Sequence, residues 1–368
     1  MRRSTRSSYH KQIKFIKRNN ERLQKEKVVS AFRNKDTREF WGSLRRMRGQ
    51  GKINSYIVEG QTDSQSISNC FADSYKLVYN QVGYNSNEMY DLYSNVTNDI
   101  IECTCTGMSN MSCITHTISS KLISESVKGM KPGKNDGFDG LTSDYLKNGS
   151  EMLFNYLSLL FTCMLRHSFS PSTFCISTMI PIPKGINKDL TKTQNYRGIA
   201  LSSLLSKLFD LCIISSEGSH LLSDGLQFAY KSGSSTIQCA SIVTETINYY
   251  INNESDVYMC CIDASKAFDR VNLVVLFNKL RKRNICPLYL RFLMNNYCNQ
   301  TMMVRWNDTL SEKFTVSNGV KQGGVLSPIL FSLYLDSLID ELRSLNVGCH
   351  VNGLFVGAVV YADDITLL

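Results

Sequence analysis

A chain of 368 residues with 43% hydrophobic and 20% charged residues has the apolar mass for a substantial core and more than one domain, which excludes a disordered or fibrous protein. The formal charge of +9 is uneven: the first 50 residues carry 16 Lys and Arg against four acids, a local +12 that leaves −3 for the rest. Thirteen scattered cysteines with no Cys-x-x-Cys pair argue against a disulfide scaffold or zinc module and predict reduced, mostly buried thiols.

The N-terminal charge is followed by no apolar segment, and the longest apolar run, Gly353 to Ala362, is shorter than the ~18 residues a membrane span needs. These features predict a nuclear or cytoplasmic protein, not secreted and with no membrane partner. Residues 1–50 read as helical, and Asp36 to Glu39 forms a capping box ahead of the stripe Phe40, Trp41, Leu44 and Met47. Such a basic arm suits a phosphate backbone, and a solvated lysine-rich helix explains it equally well. Residues 1–84 are grouped as this arm and its linker region. From 85 to 118 the chain is rich in Asn, Ser, Thr and Cys with little periodicity, which predicts a polar loop and a boundary. After it, Ile118 to Met130 reads as a helix, the glycine-rich Lys131 to Leu141 as a loop, and Glu151 to His167 as a helix with a broad apolar face. Residues 119–368 form the domain that carries the chemistry.

Three stretches point to that chemistry. In "DVYMCCIDASKAFDRV" the run Val257 to Ile262 predicts a buried strand with Asp263 at its C-terminal end. In "GVKQGGVLSPILFSLYLD" the segment Gln322-Gly323-Gly324 predicts a flexible turn. Ser327 is expected to cap the next helix, with Pro328 at its first position and Gly348 at its end. In "LFVGAVVYADDITLL" a strand Leu354 to Tyr361, a turn at Ala362 and Asp363, and a returning strand from Ile365 put the carboxylates of Asp363 and Asp364 at a hairpin tip. Clustered carboxylates repel one another in a partly buried site and persist where divalent cations neutralise them; oxygen-only ligands select Mg2+ or Mn2+. Each motif alone has a plain structural explanation. An Asp-Asp pair suits any turn, and Asp263 could cap the helix "ASKAF". Those explanations would all have to hold together, in order.

The series "IPIPKG…NYRGIALSSLLSKLFD", "LQFAYKSGSST", "CIDASKAFDRV", "GVKQGGVLSPILFSLYLD" and "YADD" resembles the reverse transcriptases of non-LTR, LINE-type retrotransposons. The resemblance covers about Lys121 to Leu368 and extends weakly upstream. It implies an α+β, right-hand polymerase fold with fingers and palm, preceded by the basic helical arm. The thumb would be missing because the sequence stops after "ITLL", which reads as truncation. Asp263, Asp363 and Asp364 would be the catalytic acids, ligating two Mg2+ or Mn2+ ions. Lys184 and Arg197 resemble the fingers cations that hold a triphosphate. Phe268 resembles the residue that packs under the incoming sugar and excludes a 2′-hydroxyl. Gln322, Gly323 and Gly324 resemble the turn against the templating pair, and Tyr361 joins the substrate-binding set. An RNA template, a DNA primer and deoxynucleoside triphosphates are the implied partners, and attack of a primer 3′-hydroxyl on the α-phosphate is the implied reaction. The alternative is a catalytically silent remnant that only binds nucleic acid. An RNA-templated RNA polymerase shares the acids, but bulky Phe268 argues for deoxynucleotides.

Overall fold

The computed structural model describes residues 57–106, 117–133, 140–185 and 188–368, together with some positions between 19 and 43. It divides into a unit Met1–Tyr56 and a unit Ile57–Leu368. In the first, residues 25–33 are helical, and of the expected capping box the N-cap half is seen, the Glu39 amide donating to Asp36 Oδ1 at 2.9 Å. Phe32 meets Phe40 with ring centroids 5.7 Å apart, whereas Trp41, Leu44 and Met47 lie outside the described residues.

The second unit begins with α1 (Ser64–Tyr79), capped by Asp63, whose side chain accepts from the Ser66 amide. The sequence groups this segment with the arm. Its buried face (Ile67, Phe71, Tyr75, Tyr79) instead makes it part of the folded unit, covering a mixed sheet of order β2-β1-β4-β5. Next comes α2 (Ser86–Thr106), in a stretch expected to be loop. Met89, Leu92 and Val96 fall on one face of the helix and are buried in the main core. Asp99 accepts two bonds from the Arg281 guanidinium, at 2.7 and 2.8 Å. Tertiary contacts thus hold a helix of low intrinsic propensity. The helices α3 (Ser120–Gly129) and α5 (Glu151–His167) agree with expectation, flanking a short α4 (Ser143–Lys147). After α6 (Ser172–Cys175), β1 (Ile176–Pro183) and β2 (Tyr196–Ser202) pair antiparallel, and β1 pairs parallel with β4 (Thr301–Trp306). Two-residue strands β5 (Thr309–Leu310) and β6 (Phe314–Thr315) add to β4.

Helices α7 (Leu204–Glu217), α9 (Leu273–Lys282), α10 (Pro287–Cys298) and α11 (Ser327–Ser344) supply much of the main core, while α8 (Thr236–Asn252) has a single buried residue, Thr246. A second sheet, of order β3-β10-β9, is built from β3 (Cys260–Asp263), β9 (Ala358–Tyr361) and β10 (Asp364–Leu367). Its inner face rests Val360 and Ile365 on Ile339 of α11.

Four local expectations are corrected. The strand expected as buried over Val257 to Ile262 is Cys260–Asp263 and exposed at every residue, because among the described residues it has a ladder partner on one side only. Leu354 and Phe355 do not continue into β9. They form β8 of a separate hairpin with β7 (His350–Val351), turned by Asn352 and Gly353 at φ 50° and 79°. Ser327 is the first helical residue of α11, not its cap. The cap is Leu326, which gives no side-chain hydrogen bond, and the helix stops at Ser344, well before Gly348. The cysteines, expected to be mostly buried, are buried at four of the ten described positions and exposed at four, two of these on the open strand β3. Among the described residues no helix is long and apolar enough to cross a membrane.

Candidate active site

The ladder between β3 and β10 sets Asp263 directly opposite Asp364, so two residues 101 positions apart in sequence share one face of the sheet. Cross-strand partners have Cβ atoms ~5 Å apart, and like charges there repel. Asp363 precedes Asp364 in the turn, and its carbonyl accepts from the Ala264 amide at 3.5 Å, tying the turn to the end of β3. The sheet edge therefore carries three carboxylates, and carboxylate oxygen is the hard chemistry that Mg2+ and Mn2+ take. Among the described residues, no three acidic, His or Cys side chains are yet arranged around a common point that could hold a metal. The carboxylates suit a divalent ion in donor type, while Asp363 lines the cleft beside this edge and Asp364 a separate groove.

Beside this edge lies a cleft of about 380 Å3, a typical ligand-pocket size. Lys184, Arg197, Phe268, Gln322, Gly323, Gly324 and Asp363 all line it, although they come from five separate stretches of sequence. Lys184 and Arg197 stand together at the connecting end of the β1-β2 pair, where the register sets Ile182 opposite Arg197 and the Lys184 amide donates to the Asn195 carbonyl at 2.9 Å. Phe268 opens a short turn Phe268–Arg270 and stacks on Phe331 of α11 with centroids 4.3 Å apart and planes at 17°. Asp364 and Tyr361 are not in this cleft; they line a separate groove with Thr236 and Cys239 of α8.

The Gln322-Gly323-Gly324 turn is pressed against β2. The Ala200 amide donates to the Gln322 carbonyl at 2.6 Å, and a Cβ on Gly323, at φ +101°, would lie 2.9 Å from the Ala200 carbonyl oxygen. Gly323→Ala therefore combines a forbidden φ with a clash on backbone. It is expected to cost ~2–4 kcal/mol of stability by denaturant unfolding. A loss below ~0.5 kcal/mol would show that this turn is not fixed as described. Beneath the turn, buried Lys321 faces half-buried Asp210 of α7. Burial pushes the carboxyl up and the amine down, and each partner's charge opposes the other's shift.

Sequence reasoning did not single out four residues at the site. Asp269 lines the cleft and accepts from Gln322 Nε2 at 3.1 Å; burial raises its carboxyl pKa. Lys266, at φ 55°, lines the cleft near Lys184, and its amine is lowered chiefly by burial and then by Arg270. Tyr230 meets Phe268 edge-on at 6.2 Å, and its phenol is pushed up by burial and by nearby Asp363. Gln227, fully buried, bonds the backbone of Ala362 in the aspartate turn. A buried polar Gln in "LQFAY" carries no chemical signal in one dimension.

A family model described as "Reverse transcriptase (RNA-dependent DNA polymerase)" matches residues 182–368, just over half of the chain, and takes in the sheet edge and the cleft residues from Lys184 onward. The chain belongs to the reverse transcriptase family. Among curated relatives, a probable RNA-directed DNA polymerase from transposon BS of Drosophila melanogaster is 27% identical over 307 residues, covering 82% of this chain and 32% of that protein. A Pol polyprotein from the type-2 retrotransposable element R2DM, also of Drosophila melanogaster, is 25% identical over 232 residues, covering 63% of this chain and 21% of that one. This reverse transcriptase domain is thus of the LINE type, and the chain spans a third or less of these relatives' length. A solved structure of apo telomerase from Candida tropicalis is similar at 15% identity with a TM-score of 0.39, over 59% of this chain and 48% of that one. The mixed helix and sheet architecture agrees with the fingers and palm expected of the family.

Proposed function

We propose that this reverse transcriptase domain catalyses RNA-templated DNA synthesis, adding deoxynucleotides to a primer 3′-hydroxyl. The observation that carries the reading is the placement of Asp263, Asp364 and Asp363 along one sheet edge, beside a cleft that gathers Lys184, Arg197 and Lys266. Asp263, Asp363 and Asp364 would hold two Mg2+ or Mn2+ ions. Bound there, the ions would supply a more acidic 3′-hydroxyl and charge neutralisation on the leaving pyrophosphate. The protein's own work is positioning and electrostatics. The Arg197 fork and the Lys184 and Lys266 point charges orient the triphosphate. Phe268, braced by Phe331, presents a flat apolar wall to the sugar. The Gln322 turn, held by Ala200 and Asp269, lies where the base pair forms. No protein nucleophile takes part.

The test is extension of a primed RNA template by the full chain. Incorporation that requires Mg2+ or Mn2+ is expected, and none from a soluble, folded preparation counts against the proposal. The +12 arm favours nucleic-acid binding by this chain, and a catalytically silent remnant would still show it. Affinity for a primed duplex is expected to fall ~10³-fold or more between 50 and 200 mM salt if six or more phosphates are contacted. An affinity indifferent to salt would remove the arm and cleft cations from the interface.

A further inference from the structure

Ala362 occupies the first position of the turn that presents Asp363, at φ 57°, a backbone region that residues with a Cβ seldom adopt. It is also buried, so water does not serve its peptide groups. The side-chain amide of Gln227 serves them. Its Oε1 accepts from the Ala362 amide at 3.0 Å, and its Nε2 donates to the Ala362 carbonyl at 3.3 Å. The same Oε1 accepts from the Ala229 amide at 3.0 Å, which fixes the orientation of the carboxamide. Gln227 is itself held at both flanks. The Phe228 amide donates to the Val360 carbonyl and the Val360 amide to the Leu226 carbonyl, each at 2.9 Å, which docks residues 226–228 on β9 as a short parallel bridge.

We propose that Gln227 is a positioning residue for catalysis, a side-chain clamp that holds Ala362 in its left-handed conformation and thereby aims Asp363 into the cleft. This rests on the polymerase reading above. The clamp needs a donor and an acceptor on one planar group. Glu offers no donor at neutral pH and Leu offers neither.

The test compares the full wild-type chain with Gln227→Leu and with the double variant Gln227→Leu/Ala362→Gly. In Gln227→Leu, kcat for deoxynucleotide incorporation is expected to fall ~10- to 100-fold while KM changes less than about twofold, since the triphosphate cations are untouched. Amide exchange across residues 359–365 is expected to accelerate at least ~10-fold, with β1 and β2 unaffected. Glycine adopts positive φ freely, so Ala362→Gly should restore a substantial part of the lost kcat. Unchanged kcat and exchange in Gln227→Leu would overturn the proposal. So would acceleration spread evenly over the whole unit, or a double variant no better than the single one. A wild-type chain that incorporates nothing, while Gln227→Leu still loosens residues 359–365, overturns the polymerase reading and leaves the clamp standing.

Discussion

Asp363→Asn is expected to lower incorporation at least ~10³-fold, equivalent to about 4 kcal/mol of transition-state stabilisation, with binding of primed template little changed. The substitution keeps size and hydrogen-bonding capacity and removes one formal charge. Asp363 lies in a turn whose backbone is held by Gln227 and by the Ala264 amide, so the fold has no reason to change. The loss should therefore appear in kcat. Single-turnover incorporation alongside a thermal melt decides it. A variant that melts like wild type and retains more than a tenth of its rate would show that Asp363 is not a metal ligand.

The second large effect is on sugar selection. Phe268→Ala is expected to raise incorporation of ribonucleotides relative to deoxynucleotides by ~10²-fold, measured as the ratio of kcat/KM values. The Phe268 ring is braced between Phe331, stacked at 4.3 Å, and Tyr230, edge-on at 6.2 Å. Removing the ring also forfeits these contacts and costs ~1–3 kcal/mol of stability. Phe268→Val separates the two effects, since a branched side chain retains part of the packing while shortening the wall. It should give intermediate selectivity at a smaller stability cost. A ribonucleotide ratio unmoved by either variant would place the sugar elsewhere.

Much of the local structure that carries the candidate site was legible in sequence because those elements sit at signals that local physics controls. The hydrophobic run Leu354 to Tyr361 followed by Ala362 and turn-tolerant Asp363 predicts a hairpin, and the structure builds one from the last four residues of that run. Gln322-Gly323-Gly324 reads as a turn, and Gly323 is needed there for both its φ and its closeness to Ala200. The periodicity of Glu151 to His167 gives that helix to the residue. What stayed hidden depends on partners distant in sequence. The apolar stripe of α2, Met89, Leu92 and Val96, is sparse among Asn, Ser and Thr and becomes a helix face through contact with the main core. Asn352-Gly353 is a strong hairpin signal, masked by a hydrophobic run that reads as one long strand. Gln227 and Asp269 acquire meaning through backbone and side-chain groups 135 and 53 positions away. The separation of Tyr361 and Asp364 from the cleft follows from the alternation of β9 and β10, which turns neighbouring side chains to opposite faces.

The outer flank of β3 has a further consequence. With Tyr258 and Met259 exposed before it and Ile262 exposed within it, this strand carries amides and carbonyls that, among the described residues, have no ladder partner and can accept another extended chain. A concentrated sample of the protein should consequently pair strand to strand along that rim into closed dimers. A lysine at Ile262 would keep such samples monodisperse.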